Sequence, residues 1–237
     1  MQDKNVLVIG GSSGIGLEIV KTLTVQNCNP YVASRSADAL AALPGVRHIA
    51  LDVAQDSLAL DDLPPELHGL AYCPGTIRLR PFQRLGSDEF LEDFQINLLG
   101  AVNVIQKCLP RLRKSKTGAS IVLFSTVAVQ TGMPFHASIA SAKGAVEGLT
   151  RALAAEFAPR IRVNAIAPSL TETPLAESLL STEDKRSASA ERHPLKRIGL
   201  PRDIAQLAVH LLSDSGSWIS GQIIHVDGGM GALRVFK

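Results

Sequence analysis

Aromatic side chains are scarce, 4% of 237 residues, with two tyrosines and one tryptophan. Charge of one sign is lacking too: 24 Lys+Arg stand against 22 Asp+Glu, a net of +2. Proteins that bind nucleic acid normally carry a basic stripe or a strongly basic domain, so no nucleic-acid partner is expected. Cysteine is rare. Cys28, Cys73 and Cys108 are odd in number, far apart and without metal-ligand spacing. They read as reduced thiols of an intracellular protein, with no metal site. Long apolar runs are missing near the start: Met1–Asn5 leads into four apolar residues, Val6–Ile9, and then two glycines. That is too short for a secretory or membrane-spanning segment, so a cytoplasmic protein without a membrane partner is expected. What is present is aliphatic bulk, 46% hydrophobic against 19% charged residues, which excludes a disordered chain. The length is enough to bury a sizeable core.

Short apolar runs alternate with helix-length segments along the whole chain. Val6–Ile9, Tyr31–Ala33, Val46–Leu51, Leu70–Cys73, Ser120–Phe124, Val163–Ala167 and Ile223–Val226 are strand candidates. Most are too continuous to be half exposed, and continuous runs suit a parallel sheet covered on both faces. Helices are expected over Gly14–Val25, Phe90–Arg113, Ser138–Phe157 and Arg202–Ser213, the last with Pro201 placed as a helix-start proline. The alternation predicts an α/β protein with a doubly wound parallel sheet of about seven strands and helices on both faces. No repeat or linker divides the chain, so residues 1–237 are expected to form a single domain. The charged stretch Glu183–Arg197 interrupts the alternation and reads as a helical insertion on the substrate side, spanning roughly residues 171–200. Ligands of such sheets bind outside the carboxyl ends of the strands. The unusual residues stand at those ends: Gly10-Gly11, Ser34-Arg35, Asp52, Pro74-Gly75, Ser125-Thr126 and Pro168.

Gly10-Gly11-Ser12-Ser13-Gly14-Ile15-Gly16 joins the first strand to the first helix. Missing Cβ atoms let a backbone approach a pyrophosphate, and a helix N-terminus offers it free N–H groups. Glycines at 10, 14 and 16 depart from the G-x-G-x-x-G spacing, but the strand before and the helix after supply the required context. NAD sites usually place a carboxylate at the end of the second strand, for the ribose hydroxyls. Here Ser34 and Arg35 stand there, and a guanidinium would welcome a 2′-phosphate. NADP is therefore favoured over NAD.

Taken together, these segments resemble the short-chain dehydrogenase/reductase family over essentially the whole chain. Ile9–Gly16 is similar to its T-G-x-x-x-G-x-G loop, with Ile9 for the threonine. Leu51-Asp52-Val53 resembles the adenine-contacting Asp-Val pair, and Tyr72-Cys73-Pro74-Gly75 stands where the family has N-N-A-G. Asn97 matches the helix asparagine that supports a catalytic water. Ala167–Thr173, with Pro168, Thr171 and Thr173, resembles the segment that holds the nicotinamide end. Pro201–Ala205 and Ser220–Gly229 match C-terminal signatures. The resemblance implies a Rossmann-type fold, a nicotinamide cofactor, a small carbonyl or alcohol substrate and a homodimer or homotetramer. Small residues Ala140, Gly144, Ala145 and Gly148 allow close helix packing, either across that assembly's subunit interface or against the protein's own sheet.

The catalytic segment departs from the pattern. In the family a Tyr hydroxyl is the acid/base, a Lys four residues later lowers its pKa, and a Ser or Thr thirteen residues earlier binds the substrate oxygen. Lys143 is present, and by resemblance it also holds the nicotinamide ribose. Thr126, with Ser125 beside it, supplies the hydroxyl, but position 139 is Ile. Tyr31 opens a strand and Tyr72 falls, by the same resemblance, at the adenine side, so neither stands in. A missing general acid normally forfeits about 10²–10⁴ in rate. His136, just before the helix, has a suitable pKa and is the candidate donor, the alternative being an ordinary solvated loop histidine. Arg78, Arg80 and Arg84 are expected to border the substrate cleft. With Arg186, Arg192, His193, Lys196 and Arg197 they suit an anionic substrate, or form solvated faces with Glu183, Asp184 and Glu191. Two functions remain open: an NADP(H)-dependent oxidoreductase, and an NADP-binding protein without hydride chemistry that serves a structural or regulatory role.

Overall fold

The structure, a computed structural model, describes residues 1–55 and 58–235. Its strands are β1 (Asn5–Ile9), β2 (Asn29–Ser34), β3 (Arg47–Ala50), β4 (Gly69–Tyr72), β5 (Ala119–Phe124), β6 (Ile161–Pro168) and β7 (Ile223–Val226). They form one parallel sheet in the order β3-β2-β1-β4-β5-β6-β7. The strand order reverses between β1 and β4, where such sheets open a crevice at their carboxyl edge.

The continuous apolar runs have a direct cause. Successive side chains on a strand point to opposite faces. Leu7 and Ile9 of β1, with Ile121 and Leu123 of β5, enter one core; Val6, Val8 and Val122 enter the other. The first core is closed by α3 (Gly100–Leu112) and α5 (Ala137–Phe157), through Val104, Ile105, Val146 and Phe157. The second is closed by α1 (Gly14–Val25) and α7 (Pro201–Leu212), through Ile19, Val20, Ile204 and Val209. The two edge strands are the exceptions: only Ile49 of β3 is buried, and all four residues of β7 are half buried. Trp218, just before it, is almost fully exposed. Among the described residues no helix is long and apolar enough to cross a membrane.

The expected helix Phe90–Arg113 is three pieces. α2 (Ser87–Phe94) and α3 are joined by a π-helical turn, Gln95–Leu99. Single widened turns of this kind are frequent at functional sites. This one is fastened from beneath by Tyr72, whose Oη donates to the Ile96 carbonyl at 2.6 Å. A Cβ at Gly100 would lie 2.3 Å from that Oη, so the glycine admits the phenol. Tyr72 is therefore a core residue. The remaining segments are the short α4 (Val127–Thr131) and, in the expected insertion, a 3-10 stretch Pro174–Leu180 followed by α6 (Glu183–Arg192). Pro201 does open α7.

Candidate functional site

A cavity of about 520 Å³ lies at the carboxyl ends of β4, β5 and β6, under the segment 168–193. It runs from Ile15, at the start of α1, to Lys143 and Ile139 on α5. The glycine turn lies next to its outer end, where Ile15 lines it and Thr173 stands against Gly14. Gly10 has φ +72° and lies against Pro74; a Cβ at Gly16 would meet the Gly10 carbonyl oxygen at 2.3 Å. Only bare backbone fits this loop, and bare backbone is what a pyrophosphate needs. Ser13 is the N-cap of α1 and its hydroxyl makes no capping bond, so it is available to a ligand, as Ser12 beside it is partly exposed. Gly14, at φ +51°, touches Thr173 of the covering segment.

Lys143 is the chemical centre of the inner end. It is buried, and loss of solvent brings its ammonium down from 10.5 to about 8, against the opposing pull of the Asp93 carboxylate. A Cβ at Gly75 would stand 3.5 Å from Nζ and 3.3 Å from Asn97 Oδ1, so the glycine keeps this corner open. Asn97 Oδ1 is buried with no donor to accept from, an open acceptor of the kind a water or ligand satisfies. Its amide nitrogen is fixed, donating to Thr76 Oγ1 and to the Asp93 carbonyl, each at 2.8 Å. Burial likewise drives the Cys73 thiol up to about 12, so it stays neutral.

Behind Asn97 lies a polar cluster that sequence reasoning missed. Asp93 is fully buried, and its carboxylate accepts from Thr76 Oγ1 at 2.5 Å and Ser138 Oγ at 2.6 Å. The available signal was spacing: Asp93 lies one helical turn before Asn97, on the same face. Ser138 thus points away from the cavity, as its place on α5 implied. Ile139, one turn before Lys143, is 5% exposed and presents only hydrocarbon to the cavity.

At the end of β5 the two adjacent hydroxyls differ. Ser125 Oγ donates to Glu147 Oε1 of α5 at 2.6 Å and is spent. Thr126 is the N-cap of α4: its Oγ1 accepts from the Ala128 N–H at 3.3 Å, leaving its own hydrogen for the cavity it lines. His136 lines the cavity beside Ile139 and is the N-cap of α5. Its Nδ1 lies 2.8 Å from the Pro134 carbonyl, so that nitrogen carries the proton. The preceding residue, Phe135, is held at φ +69°, a conformation costly for a bulky side chain.

The covering segment contributes Pro168, Ser169, Thr171 and Thr173. Thr171 Oγ1 donates to the Ser169 carbonyl at 2.9 Å, which shapes the turn. At the far side of the sheet Arg35 is exposed immediately after β2. Ser34 Oγ is engaged, donating to the Ser36 carbonyl at 2.7 Å with His48 Nε2 at 3.1 Å. Asp52 Oδ1 accepts from the Ala54 N–H at 3.0 Å, and Val53 is buried in the core.

The arginine expectation needs correction. Arg78 and Arg80 do not face the cleft as free cations, because α2 presents Glu89 and Glu92 to them. Ile77 and Leu79, on alternate positions, line the cavity instead. Arg84 is exposed outside it. Arg186, Lys196 and Arg197 pair with Glu172, Glu191 and Asp203, as solvated faces do.

Comparison with known proteins agrees with this geometry. A family model described as enoyl-(acyl carrier protein) reductase matches residues 10–231. The chain is 31% identical to a tropinone reductase homolog of Arabidopsis thaliana, over 97% of this chain and 94% of that one. It is also 31% identical to the L-xylulose reductase of Bos taurus, over 95% and 96% respectively. The solved structure of a short-chain type dehydrogenase/reductase from Mycobacterium ulcerans superposes with a TM-score of 0.90 at 28% identity, covering 99% of this chain and 92% of that one. The chain belongs to the short-chain dehydrogenases/reductases, a family of oxidoreductases.

The burial of Lys143 has a measurable consequence. A lysine whose folded pKa is about 8 against 10.5 binds fewer protons folded than unfolded between those values. Stability therefore climbs with pH through that window, and below it the full penalty, at most about 3 kcal/mol, is present. Lys143→Met should melt higher than the wild type at pH 7, with the gap closing from pH 8 to 10.5. Scanning calorimetry of the ligand-free proteins checks this; equal melting temperatures at pH 7 would refute it.

Proposed function

We propose that this chain is an NADP(H)-dependent oxidoreductase that interconverts a carbonyl and an alcohol, acting as one Rossmann-type domain. The observation that carries this reading is one continuous cavity with Ile15, at the α1 end of the glycine turn, on one side and the desolvated Lys143 amine on the other. The bare loop Gly10–Gly16 and the open Asn97 acceptor fit a dinucleotide. Backbone N–H groups of the loop, with Ser12 and Ser13, would hold the pyrophosphate. Arg35 would take the 2′-phosphate beside Ser34, and Asp52 with Val53 would border the adenine. Cys73, Pro74 and Gly75 would line the middle of the cofactor, Lys143 would hold the nicotinamide ribose, and Pro168, Thr171 and Thr173 its ring end. A bound nicotinamide supplies hydride transfer. The protein's own part is to orient the substrate oxygen with Thr126, to exclude water with the 168–193 segment and to deliver a proton.

Arg35 makes the cofactor preference testable. NADPH should bind more tightly than NADH by calorimetry, and Arg35→Ala should remove most of the difference. Equal dissociation constants in the wild type would overturn the assignment.

The assembly is a homodimer or homotetramer. The half-buried edge strand β7, the exposed Trp218 and the open space beside Gly148 support it. Light-scattering chromatography should give two or four chain masses; a single-chain mass at micromolar concentration would contradict it.

Proton delivery falls to His136, the titratable side chain that reaches the cavity beside Ile139, or to water relayed through Asn97 and Lys143. His136→Ala should lower kcat by about 10²-fold while leaving NADPH affinity unchanged. Ile139→Tyr, which restores a phenol one turn from Lys143, should raise turnover of generic carbonyl compounds. An unchanged kcat in His136→Ala would dismiss the histidine. The buried hydrocarbon of Ile139 favours a second reading, an NADP-binding protein with a structural or regulatory role. Cofactor binding without turnover across a broad carbonyl and alcohol panel would select it.

A further inference from the structure

The wall of the cavity opposite α5 holds a histidine that the proposed chemistry does not use. His193 follows α6 and is 2% exposed. Its Nδ1 lies 2.8 Å from the Ser189 carbonyl, which can only accept, so Nδ1 carries a hydrogen. Its Nε2 lies 2.8 Å from Ser169 Oγ, and Ser169, Ser189 and His193 all line the cavity. The pair has two states. With a neutral ring, Ser169 donates its hydrogen to Nε2. With a protonated ring, Nε2 donates to Ser169 Oγ, and the serine hydrogen is free to turn to an acceptor in the cavity or to Met230 Sδ at 3.3 Å. An anion in the cavity stabilises the second state and receives that hydrogen.

The charged side chains that line the cavity have one sign. Among the described residues that line the cavity there is no Asp or Glu, whereas Lys143, Lys185 and Arg192 are all there. Arg186, Lys196 and Arg197 on the same covering segment have carboxylate partners; Lys185 and Arg192 form no ion pair among the described residues. Lys185 Nζ instead donates to the Ser178 carbonyl and Ser181 Oγ. The charged groups near His193 are Arg192 and Lys196 on its own segment and Asp227 beside Gly228, whose added Cβ would lie 3.5 Å from the ring. Asp227 is already engaged by the N–H groups of Gly229 and Gly231, at 2.9 and 2.7 Å. The rest of the wall is apolar, with Leu79, Met133, Ile139 and Leu175.

We infer that the substrate is an apolar oxo or hydroxy acid whose carboxylate is held at the Ser169–His193 pair and Arg192, leaving its reacting oxygen to the Lys143 and Thr126 side. This deepens the oxidoreductase reading and rests on it for the words oxo and hydroxy. The carboxylate site itself stands on geometry that involves no hydride transfer.

The test therefore uses an unreactive probe. Octanoate should bind the full-length protein at least about tenfold more tightly than octan-1-ol, and more tightly than octyl phosphate, by calorimetry. Titration in two buffers of different ionisation enthalpy should show proton uptake on octanoate binding near pH 7.5. Arg192→Gln, at an exposed position, should weaken octanoate about tenfold and leave octan-1-ol unchanged, and His193→Asn should reduce the proton uptake, leaving only what Lys143 contributes. Equal affinity for octanoate and octan-1-ol would overturn the inference, as would tighter binding of octyl phosphate or an octanoate affinity unaffected by Arg192→Gln. NADPH binding is measured separately, so its failure would strike the oxidoreductase reading and leave the carboxylate site standing.

Discussion

Burial of the sheet on both faces is the constraint from which the rest of this molecule follows. Because Val6, Leu7, Val8 and Ile9 alternate between two apolar cores, neither face of the central strands is available to a ligand. Polar chemistry is confined to strand ends. The reversal of strand order between β1 and β4 then separates the loops on either side and opens the crevice. The glycine turn, Pro74-Gly75, Ser125-Thr126 and Pro168 converge there because each ends a neighbouring strand. The helices add what strands cannot: α1 presents its N-terminus, and α5 places Lys143 at the floor.

Lys143 shows how the fold holds a group that water would prefer to keep. Desolvation disfavours its ammonium, and the surroundings offset part of that cost. Asp93 is the compensating charge, itself satisfied by the hydroxyls of Thr76 and Ser138. The π-helical turn brings Asn97 into the same cluster, and Tyr72 fixes that turn from the core. A buried acid, a buried amine and an open amide acceptor thus form one connected arrangement. Its polar partners are largely fixed before any ligand arrives, which is the form of preorganisation a binding site needs.

The two ends of the covering segment differ in character. Thr173 touches Gly14 and so ties the segment to the glycine turn, whereas His193 closes on Ser169 at the other side. Between them lies an apolar wall that includes Leu79, Met133, Leu175 and Ile139. Of the cations that line the cavity, Lys143 stands on α5, while Lys185 and Arg192 stand on the covering side and form no ion pair among the described residues.

Seven strands, the parallel arrangement, the glycine turn, Lys143 and the helix-start Pro201 were legible in the sequence, because each is written in local pattern. Continuous apolar runs report burial on both faces, and glycine and proline report backbone geometry. The Phe90–Arg113 helix was misread because a π-helical turn changes hydrogen bonding without changing the 3.6-residue apolar pattern that announces a helix. The bond from Tyr72 to the Ile96 carbonyl was not legible, because resemblance gives a position in the chain and not the direction of a side chain. The arginines at 78 and 80 lost their presumed freedom to Glu89 and Glu92, partners at distances in sequence that no spacing rule selects. The pairing of His193 with Ser169 spans 24 residues and that of Asp93 with Ser138 spans 45. Contacts of that kind exist only after the sheet has ordered its strands, so sequence determined the scaffold and the inventory of reactive groups, and tertiary packing alone decided which of them meet.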